Sequence, residues 1–482
     1  MLNYIWLGLI LLAVITGGLT GKLTEVTGSA FDSANYAVMN VALPLTGIMA
    51  IWLGMMRLAE QSGFVQVLAR ALKPLMRRLF PDVPPDHPAM ASMVMTMAAN
   101  MLGLSNAATP LGLRAMSDLE KLNPRPGTAT NAMCTFLAIS TSSIQLIPTT
   151  VIGILAVNKS LHPTAVVGPA LMATTCAAVS AVIVVKLLEK LPMFQLPPVT
   201  PLETEKATAE KESREVLEVE KVSPADLTMG KRLLLCVYFG FFILVFAANV
   251  FPETTNACLA WLHDSAVAAS HAFPRLLGWF PAWAHEILVR LGVSQMKMAV
   301  DDKSMAIRFL TALSLVAVPL MLSFFPLYAL LRGIKVYEQF VSGAKEAFPV
   351  ALRIIPFLVA MLVAMGMFRA SGCLGIIQGV FAPVLAAVHF PADVLPVALM
   401  RPLSGGATIG LFTDLVHRFG PDHFNSLLAG TIVGSTETTF YVLTVYFGSV
   451  SVNKMRHAVL AGLTADLVGV VASVIICNLV FR

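Results

Sequence analysis

Charged residues are scarce in this chain of 482 residues, at 13% of the sequence. A soluble globular domain carries about 25% charged residues, so the sequence excludes an ordinary water-soluble fold. Hydrophobic residues make up 57% of the chain, and the mean hydropathy is +0.77. Because so much apolar surface cannot face water, lipid has to be the main solvent.

Enzyme and metal motifs are also missing. The sequence has no HExxH helix, no GxSxG elbow, no Walker loop and no CxxC pair among its six cysteines. We therefore expect no catalytic activity, no metal, no resident cofactor and no built-in ATP motor. The cysteines are expected to be small buried hydrophobes. A net charge of only +5, spread over segment ends, argues against nucleic acid as a partner.

Apolar stretches occur along the whole chain, and several approach the roughly 20 residues that a helix needs to cross a bilayer. They are residues 6–20, 41–56, 136–157, 164–185, 233–250, 309–331, 350–368 and 458–481. The first is interpreted as a retained helix, since no Lys or Arg precedes it and no signal-peptide cleavage site follows. The sequence predicts a multi-pass protein of the bacterial inner membrane.

A polar, charge-dense stretch divides the chain. It predicts a cytoplasmic linker at residues 191–230, after a first membrane half at 1–190. Residues 231–305 are expected to hold an extra transmembrane helix and a connection whose Trp261, Trp279 and Trp283 favour amphipathic helices at the membrane interface. The second membrane half is placed at 306–482.

The two halves carry the same motifs in the same order. Gly54-Met-Met-Arg57 and Gly366-Met-Phe-Arg369 are each followed by Ser-Gly and then a proline. Next come LSNAAT at 104–109 and LSGGAT at 403–408, then STSS at 140–143 and STET at 435–438. Chance matches of small residues would not keep this order. The sequence predicts two repeats, at about 36–188 and about 345–481.

The basic residues predict that the repeats are inverted. The first repeat has Arg70, Lys73, Arg77 and Arg78 after its opening helix, whereas residues 372–391 of the second have no Lys or Arg. The connection that follows the broken span shows the opposite bias. It holds Lys454 and Arg456 in the second repeat but only Lys159 in the first. By the positive-inside rule the copies face opposite ways. The predicted fold is an all-α polytopic membrane protein with two inverted-topology repeats, re-entrant helical hairpins and broken transmembrane helices.

The predicted hairpins surround interruptions at 105–110 and 404–408, because the apolar runs there are too short to span twice. Asn106, Gly405 and Gly406 mark the tips, and Asn100 lies on a limb. Tight helix packing through small residues is the alternative explanation of the tips. The pair Asp86-His87 before Pro88 is expected to form a helix N-cap, with the proline in the first turn.

The predicted broken spans hold the remaining candidate ligands: Ser142 and Gln145 in the first repeat, and Thr436, Glu437 and Thr438 in the second. Glu437 falls near the bilayer centre, where a charged side chain costs about 2.5–3.5 kcal/mol on insertion scales. It should be protonated, paired or bound to a cation. Arg401 would either pair with it or meet an anionic substrate group. Ser and Thr often bond back to their own helix, and Asp414 and Asp466 are expected closer to the interfaces.

These motifs carry a family resemblance. WLGMMRLAEQSG (52–63) and GLSNAATPLGLRAM (103–116) resemble spore maturation protein A over residues 1–190. RIIPFLVAMLVAMGMFRASG (353–372) and STETTFYVLTVYFGSV (435–450) resemble spore maturation protein B from residue 309 onwards. Both belong to the nucleoside-recognition, or Gate, domain group, which is similar to the membrane parts of concentrative nucleoside transporters and ferrous iron transporter B. The resemblance implies a transporter-like fold. The helix at 233–250 has no counterpart in either resemblance. If the first protein ends inside and the second begins outside, one added membrane crossing is needed to fuse them.

The leading functional hypothesis is a secondary transporter or channel-like protein that moves a small solute (nucleoside-like, carboxylate or similar) by alternating access around a midplane site. Coupling to H⁺ or Na⁺ is left open, as is a homo-oligomer. One alternative is a flippase for lipids or cell-envelope precursors. The other is a non-transporting assembly or sensor factor of the spore maturation type. Membrane lipid and a small solute are the expected partners.

Overall fold

The computed structural model describes residues 2–85, 87–102, 105–195, 228–257, 304–373, 375 and 390–482. These residues are overwhelmingly α-helical and include no strand beyond an isolated bridge between Thr128 and Lys454. The predicted linker at 191–230 and the Trp-rich connection lie largely outside the described residues. The chain divides into two units, Met1–Asp226 with Met321–Arg482, and Leu227–Leu320.

The first half of the large unit contains nine helices in the described residues. They are α1 Leu2–Leu19, α2 Leu23–Tyr36, α3 Leu43–Gln61, α4 Phe64–Leu79, α5 Pro88–Met101, α6 Ser105–Glu120, α7 Asn131–Ser142, α8 Thr149–Val157 and α9 Val167–Leu188. A π-helical turn, Ala37–Ala42, joins α2 to α3, so that the helix runs on from Leu23 to Gln61. His87 caps α5 as predicted, with its Nδ1 accepting the Ala89 N–H at 3.1 Å.

The small unit holds α10, Met229–Val250, and most of α11, Met305–Leu331. Within it the rings of Phe246 and Phe309 lie 5.1 Å apart, and the Tyr238 hydroxyl donates to the Leu320 carbonyl at 3.0 Å. The predicted extra helix at 233–250 therefore falls inside α10.

The second half of the large unit follows the end of α11. Its helices are α12 Val336–Lys345, α13 Ala347–Ala370, α14 Leu395–Met400, α15 Gly405–Phe419, α16 Phe424–Ser435, α17 Thr439–Ser449 and α18 Ala458–Phe481. Six helices in the described residues are long and apolar enough to cross a membrane. The prediction of an all-α polytopic membrane protein is confirmed.

Both halves contain the same helical elements in the same order. A long helix (α3, α13) leads to a helical hairpin (α5–α6, α14–α15), then to a helix broken in the middle (α7–α8, α16–α17), then to a closing helix (α9, α18). The broken helices form at the interruptions predicted for them. The hairpin turns fall earlier than predicted, because residues 105–110 already lie in α6 and residues 405–408 already lie in α15, which Ser404 caps. Residues 376–389, which follow α13 and precede the second hairpin in the sequence, lie outside the part of the chain that the structure describes.

The halves pack on each other reciprocally. Helix α2 packs on α13 and α12 packs on α3, while α9 packs on α16 and α18 packs on α7. The closing helices run antiparallel, since the ring of Phe194, beyond the end of α9, meets the ring of His457 at the start of α18 edge-on at 5.6 Å. Counterpart helices related by an axis in the membrane plane must run antiparallel. The packing supports the inverted relationship, which stays a prediction.

Candidate functional site

The two broken helices meet at their interruptions. Helix α7 ends at Ser142 and α8 begins at Thr149, where Pro148 cannot donate a backbone hydrogen bond. Helix α16 ends at Ser435 and α17 begins at Thr439, after the extended residues Thr436 and Thr438. The Glu437 N–H donates to the Thr141 carbonyl at 2.7 Å. Each break thus satisfies backbone groups that the other leaves free, as buried non-helical backbone requires.

Each hairpin tip is fixed to the break of its own repeat. The Leu146 N–H donates to the Met101 carbonyl, and the Phe440 N–H donates to the Pro402 carbonyl, both at 3.0 Å. In the motif alignment of the two repeats, the bonded positions correspond to within two residues. Backbone hydrogen bonds thus join the two breaks to each other and each break to its hairpin in the described part of the chain.

A cavity of about 180 Å³ opens at this region. Five of the predicted site residues line it: Gln145, Arg401, Gly405, Glu437 and Thr438. Its other walls are Ile147, Pro148, Thr149, Thr150, Val151, Ile409, Val433 and Gly434. The lining therefore combines charged and polar side chains with a smaller apolar surface, and precisely placed polar groups of this kind fix a small molecule in a site.

The charged residues of the cavity are only partly paired. Arg401 is 6% exposed, and its Nη2 lies 4.0 Å from Oε2 of Glu437. Its Nη1 donates to Thr438 Oγ1 at 3.1 Å, while its buried Nε has no hydrogen-bond partner. Glu437 Oε1 accepts from Gln145 Nε2 at 2.8 Å, and 37% of the Glu437 side chain remains exposed. Both charges thus keep hydrogen-bonding capacity that a ligand can use.

The magnitudes favour a binding role over a stabilising one. Two unit charges 4 Å apart attract by about 4 kcal/mol at an effective dielectric constant of about 20. Burying the Arg401 guanidinium costs several kcal/mol, and the partly exposed Glu437 carboxylate adds less. A loose pair with an unpartnered donor does not recover that cost, so a ligand that completes the hydrogen bonds of Arg401 would add to its stability.

Asp466 is a functional candidate that the sequence reasoning missed. We expected it near an interface, but it is 6% exposed and its Oδ2 accepts from Thr439 Oγ1 at 2.6 Å. Its Oδ1 is buried without a partner. The signal was its position nine residues into the 24-residue helix Ala458–Phe481, which is too deep for the interface.

Asp414 also corrects the expectation of a solvated role near the interface. It is buried, and its oxygens accept from Arg369 Nη1 at 2.9 Å and from Arg418 Nε at 3.0 Å. Arg418 also reaches Asp393 at 3.4 Å. Arg418 follows Asp414 by four residues on the same helix, whereas Arg369 comes from a different helix and could not be paired with Asp414 from the sequence. Asp414 belongs to a structural ion-pair network.

Four of the remaining predicted residues, whose side chains the structure describes, do not line the cavity. Ser142 is buried and donates to the carbonyl of Ile139 at 3.0 Å, as a serine bonding back to its own helix does. Thr436 is buried against Gly469, and Gly406 packs on Phe357, which favours the tight-packing explanation there. Asn100 is half-buried near the end of α5. Asn106 lies in α6, and its side chain is outside the described part of the chain.

No group of three His, Cys, Asp or Glu side chains able to hold a metal ion occurs in the described residues. The cavity is lined by one carboxylate, one guanidinium, one side-chain amide and three threonines. These groups bind a polar or charged solute by hydrogen bonds and charge.

Known proteins resemble this chain in parts. A nucleoside recognition (Gate) family profile matches residues 42–158. Spore maturation protein B of Bacillus subtilis (strain 168) is 49% identical over 169 residues, which cover 35% of this chain and 95% of that protein. Spore maturation protein A of the same organism is 41% identical over 184 residues, covering 38% of this chain and 93% of that protein. A solved structure, the YdaH transporter of Alcanivorax borkumensis, aligns at a TM-score of 0.35 and 15% identity, over 99% of this chain and 97% of that one.

Proposed function

The chain belongs to the family of the spore maturation proteins A and B, as a fusion of the two, and on that basis we propose that it carries a small polar solute across the bacterial inner membrane. It is a multi-pass membrane protein with a nucleoside-recognition domain. The observation that carries the proposal is the incompletely paired Arg401 and Glu437 at the junction of two broken helices and a hairpin tip.

The proposed mechanism is alternating access around this cavity. Broken helices and hairpin tips at a repeat interface are where secondary transporters bind their solutes, and one repeat can rock against the other. Solute binding would engage Arg401 and Glu437 together with Gln145. These contacts would be released when the repeats rock back and the cavity opens to the other side of the membrane. A coupling H⁺ or Na⁺ would act at Glu437 or at the unpartnered oxygen of Asp466.

The cavity limits the class of solute. Its volume of about 180 Å³ is below the range of roughly 300–1,000 Å³ usual for drug-sized ligands. Arg401 favours an anionic group and the Glu437–Gln145 pair favours a hydrogen-bond donor. Of the candidate solutes, a small carboxylate with a donor group fits the present cavity better than a nucleoside, which needs a more open state.

The test is metabolite flux in membrane vesicles that contain the wild-type chain or Glu437→Gln. We expect the variant to lower the flux of the transported solute by about tenfold or more, since losing a hydrogen bond to a charged group costs about 1.5–3 kcal/mol. Glu338→Gln is the matched control, because that glutamate is exposed on α12. Equal flux for wild type and Glu437→Gln would contradict transport through this cavity and favour the assembly or sensor role.

A further inference from the structure

A second cavity lies between α4 and the first limb of the hairpin, α5. Its volume is about 430 Å³, and it is separate from the Arg401 cavity. Its floor is apolar and includes Ala69, Met90 and Val94, all buried. Its rim carries Arg70, Lys73 and His87. No carboxylate is among the residues that line it in the described part of the chain.

The rim presents hydrogen-bond donors to a negatively charged group. Arg70 and Lys73 are exposed, one turn apart on α4. The Nδ1 of His87 accepts the backbone N–H of Ala89, so its other nitrogen, Nε2, carries the ring proton and is a donor. A phosphate bearing a negative charge is the group that such a set recognises.

The start of α4 lies at the level where a membrane span ends. The Phe64 ring packs on Phe324, Phe325 and Tyr328, at centroid distances of 5.1, 5.6 and 5.8 Å, in the last turns of α11. Arg332 follows that helix and its Nε donates to the Tyr328 hydroxyl at 3.3 Å. Aromatic rings followed by a basic residue are typical of the membrane–water interface. Helix α4, with its apolar face buried and its basic face exposed, has the character of an interfacial helix.

We propose that the cavity between α4 and α5 binds one anionic phospholipid of the surrounding bilayer. Arg70, Lys73 and His87 hold the phosphate, and an acyl chain lies along Ala91, Val94 and Met95 of α5. A basic rim over an apolar floor at the interface matches the two parts of such a lipid, whereas a free phosphate would leave the floor unfilled. The proposal does not depend on transport.

The experiment titrates the purified full-length chain with dioctanoyl phosphatidylglycerol and follows lipid binding by native mass spectrometry. We expect Arg70→Ala/Lys73→Ala to weaken binding about thirtyfold, because each basic residue contributes about fivefold near an anionic lipid. The matched control is Arg77→Ala/Arg78→Ala, which removes the same charge from the same helix at exposed positions that do not line the cavity. This control keeps wild-type affinity.

Two further arms test the lipid itself. Ala91→Trp fills the floor while leaving every charge in place, and it is expected to abolish binding. Dioctanoyl phosphatidylcholine and glycerol phosphate are expected to compete poorly, since one is zwitterionic and the other has no acyl chain. Equal loss in the two double variants, binding unchanged by Ala91→Trp, or competition by either probe as strong as that of phosphatidylglycerol would overturn the proposal.

Discussion

At the scale of single residues, the chain buries polar groups that its apolar surroundings cannot satisfy. Arg401, Asp466 and His457 each keep a buried nitrogen or oxygen atom with no hydrogen-bond partner. Leaving such a group unpaired costs about 1–3 kcal/mol, and more for a charged group. Arg401 and Asp466 flank the breaks, where a solute or an ion can supply the missing partner. His457 lies at the start of α18, away from the breaks, and its burial affects the stability of the protein.

His457 makes the stability of the protein depend on pH. The residue is fully buried beside Arg456 and Lys186, and burial, together with those two charges, lowers the pKa of its imidazole to about 4. In the unfolded chain the pKa is about 6.5, so the unfolded chain takes up the proton first. The contribution of His457 is complete above about pH 6.5 and is lost as the pH falls through about 4.

We therefore expect the thermal unfolding temperature of the wild type to drop by several degrees between pH 6.5 and 4, and the drop to be smaller in His457→Gln. His162→Gln is the control, because that histidine is exposed in the α8–α9 loop. Unfolding is followed by fluorescence in detergent at each pH. A His457→Gln curve as steep as that of the wild type would assign the loss to other groups.

At the scale of helices, glycines let the two halves cross closely. A Cβ on Gly343 of α12 would lie 2.6 Å from the Leu53 carbonyl oxygen and 3.1 Å from the Gly54 Cα of α3. In the equivalent crossing, a Cβ on Gly366 of α13 would lie 2.3 Å from Ser33 Oγ of α2. Gly54 and Gly366 are the matching glycines of the repeated motif. In each repeat, the first long helix (α3 or α13) thus uses this glycine position to pack against the helix that precedes the other repeat (α12 or α2).

Gly343→Ala tests this crossing. Because the obstructing atoms are backbone, α12 has to move away from α3, and we expect a loss of about 1–3 kcal/mol in stability, as for other overpacked sites. Gly47→Ala in α3 has open space around its Cβ and should be neutral or slightly stabilising. The readout is unfolding in denaturant in a single detergent. Equal stabilities of the two variants would show that the crossing is not tightly packed.

At the scale of the whole molecule, loops of different repeats pair at the two ends of the broken helices. The Ala129 N–H donates to the Lys454 carbonyl at 3.0 Å, and Arg456 reaches Asn131 at 2.9 Å. At the other end, Ser160 Oγ and the Leu161 N–H donate to Asp422, at 2.5 and 3.0 Å. Equivalent loops thus lie at opposite ends, and the basic residues expected in the cytoplasm, Lys454 and Arg456, lie together.

Inverted topology predicts which positions share a face of the bilayer. In a background without other cysteines, single cysteines at Pro126 and Lys454 should react from the cytoplasmic side, and those at His162 and Asp422 from the outside. All four positions are exposed. The measurement is labelling by a membrane-impermeant maleimide in intact cells and in inverted vesicles. Labelling of Pro126 and Asp422 from the same side would exclude inversion, because these loops are equivalent in the two repeats.

The sequence by itself determined the membrane environment, the helical class, the order of the repeated elements and the positions of the breaks. These depend on local features, namely apolar length, prolines and small residues, and the bias of basic residues. Only the tertiary structure decided which polar groups share a cavity. It brought Gln145 to Glu437 across 292 positions of the chain, turned Ser142 back onto its own helix, and buried Asp466 beside the breaks. Side-chain direction at a break depends on backbone angles and on the facing repeat, neither of which a one-dimensional pattern of hydrophobicity encodes.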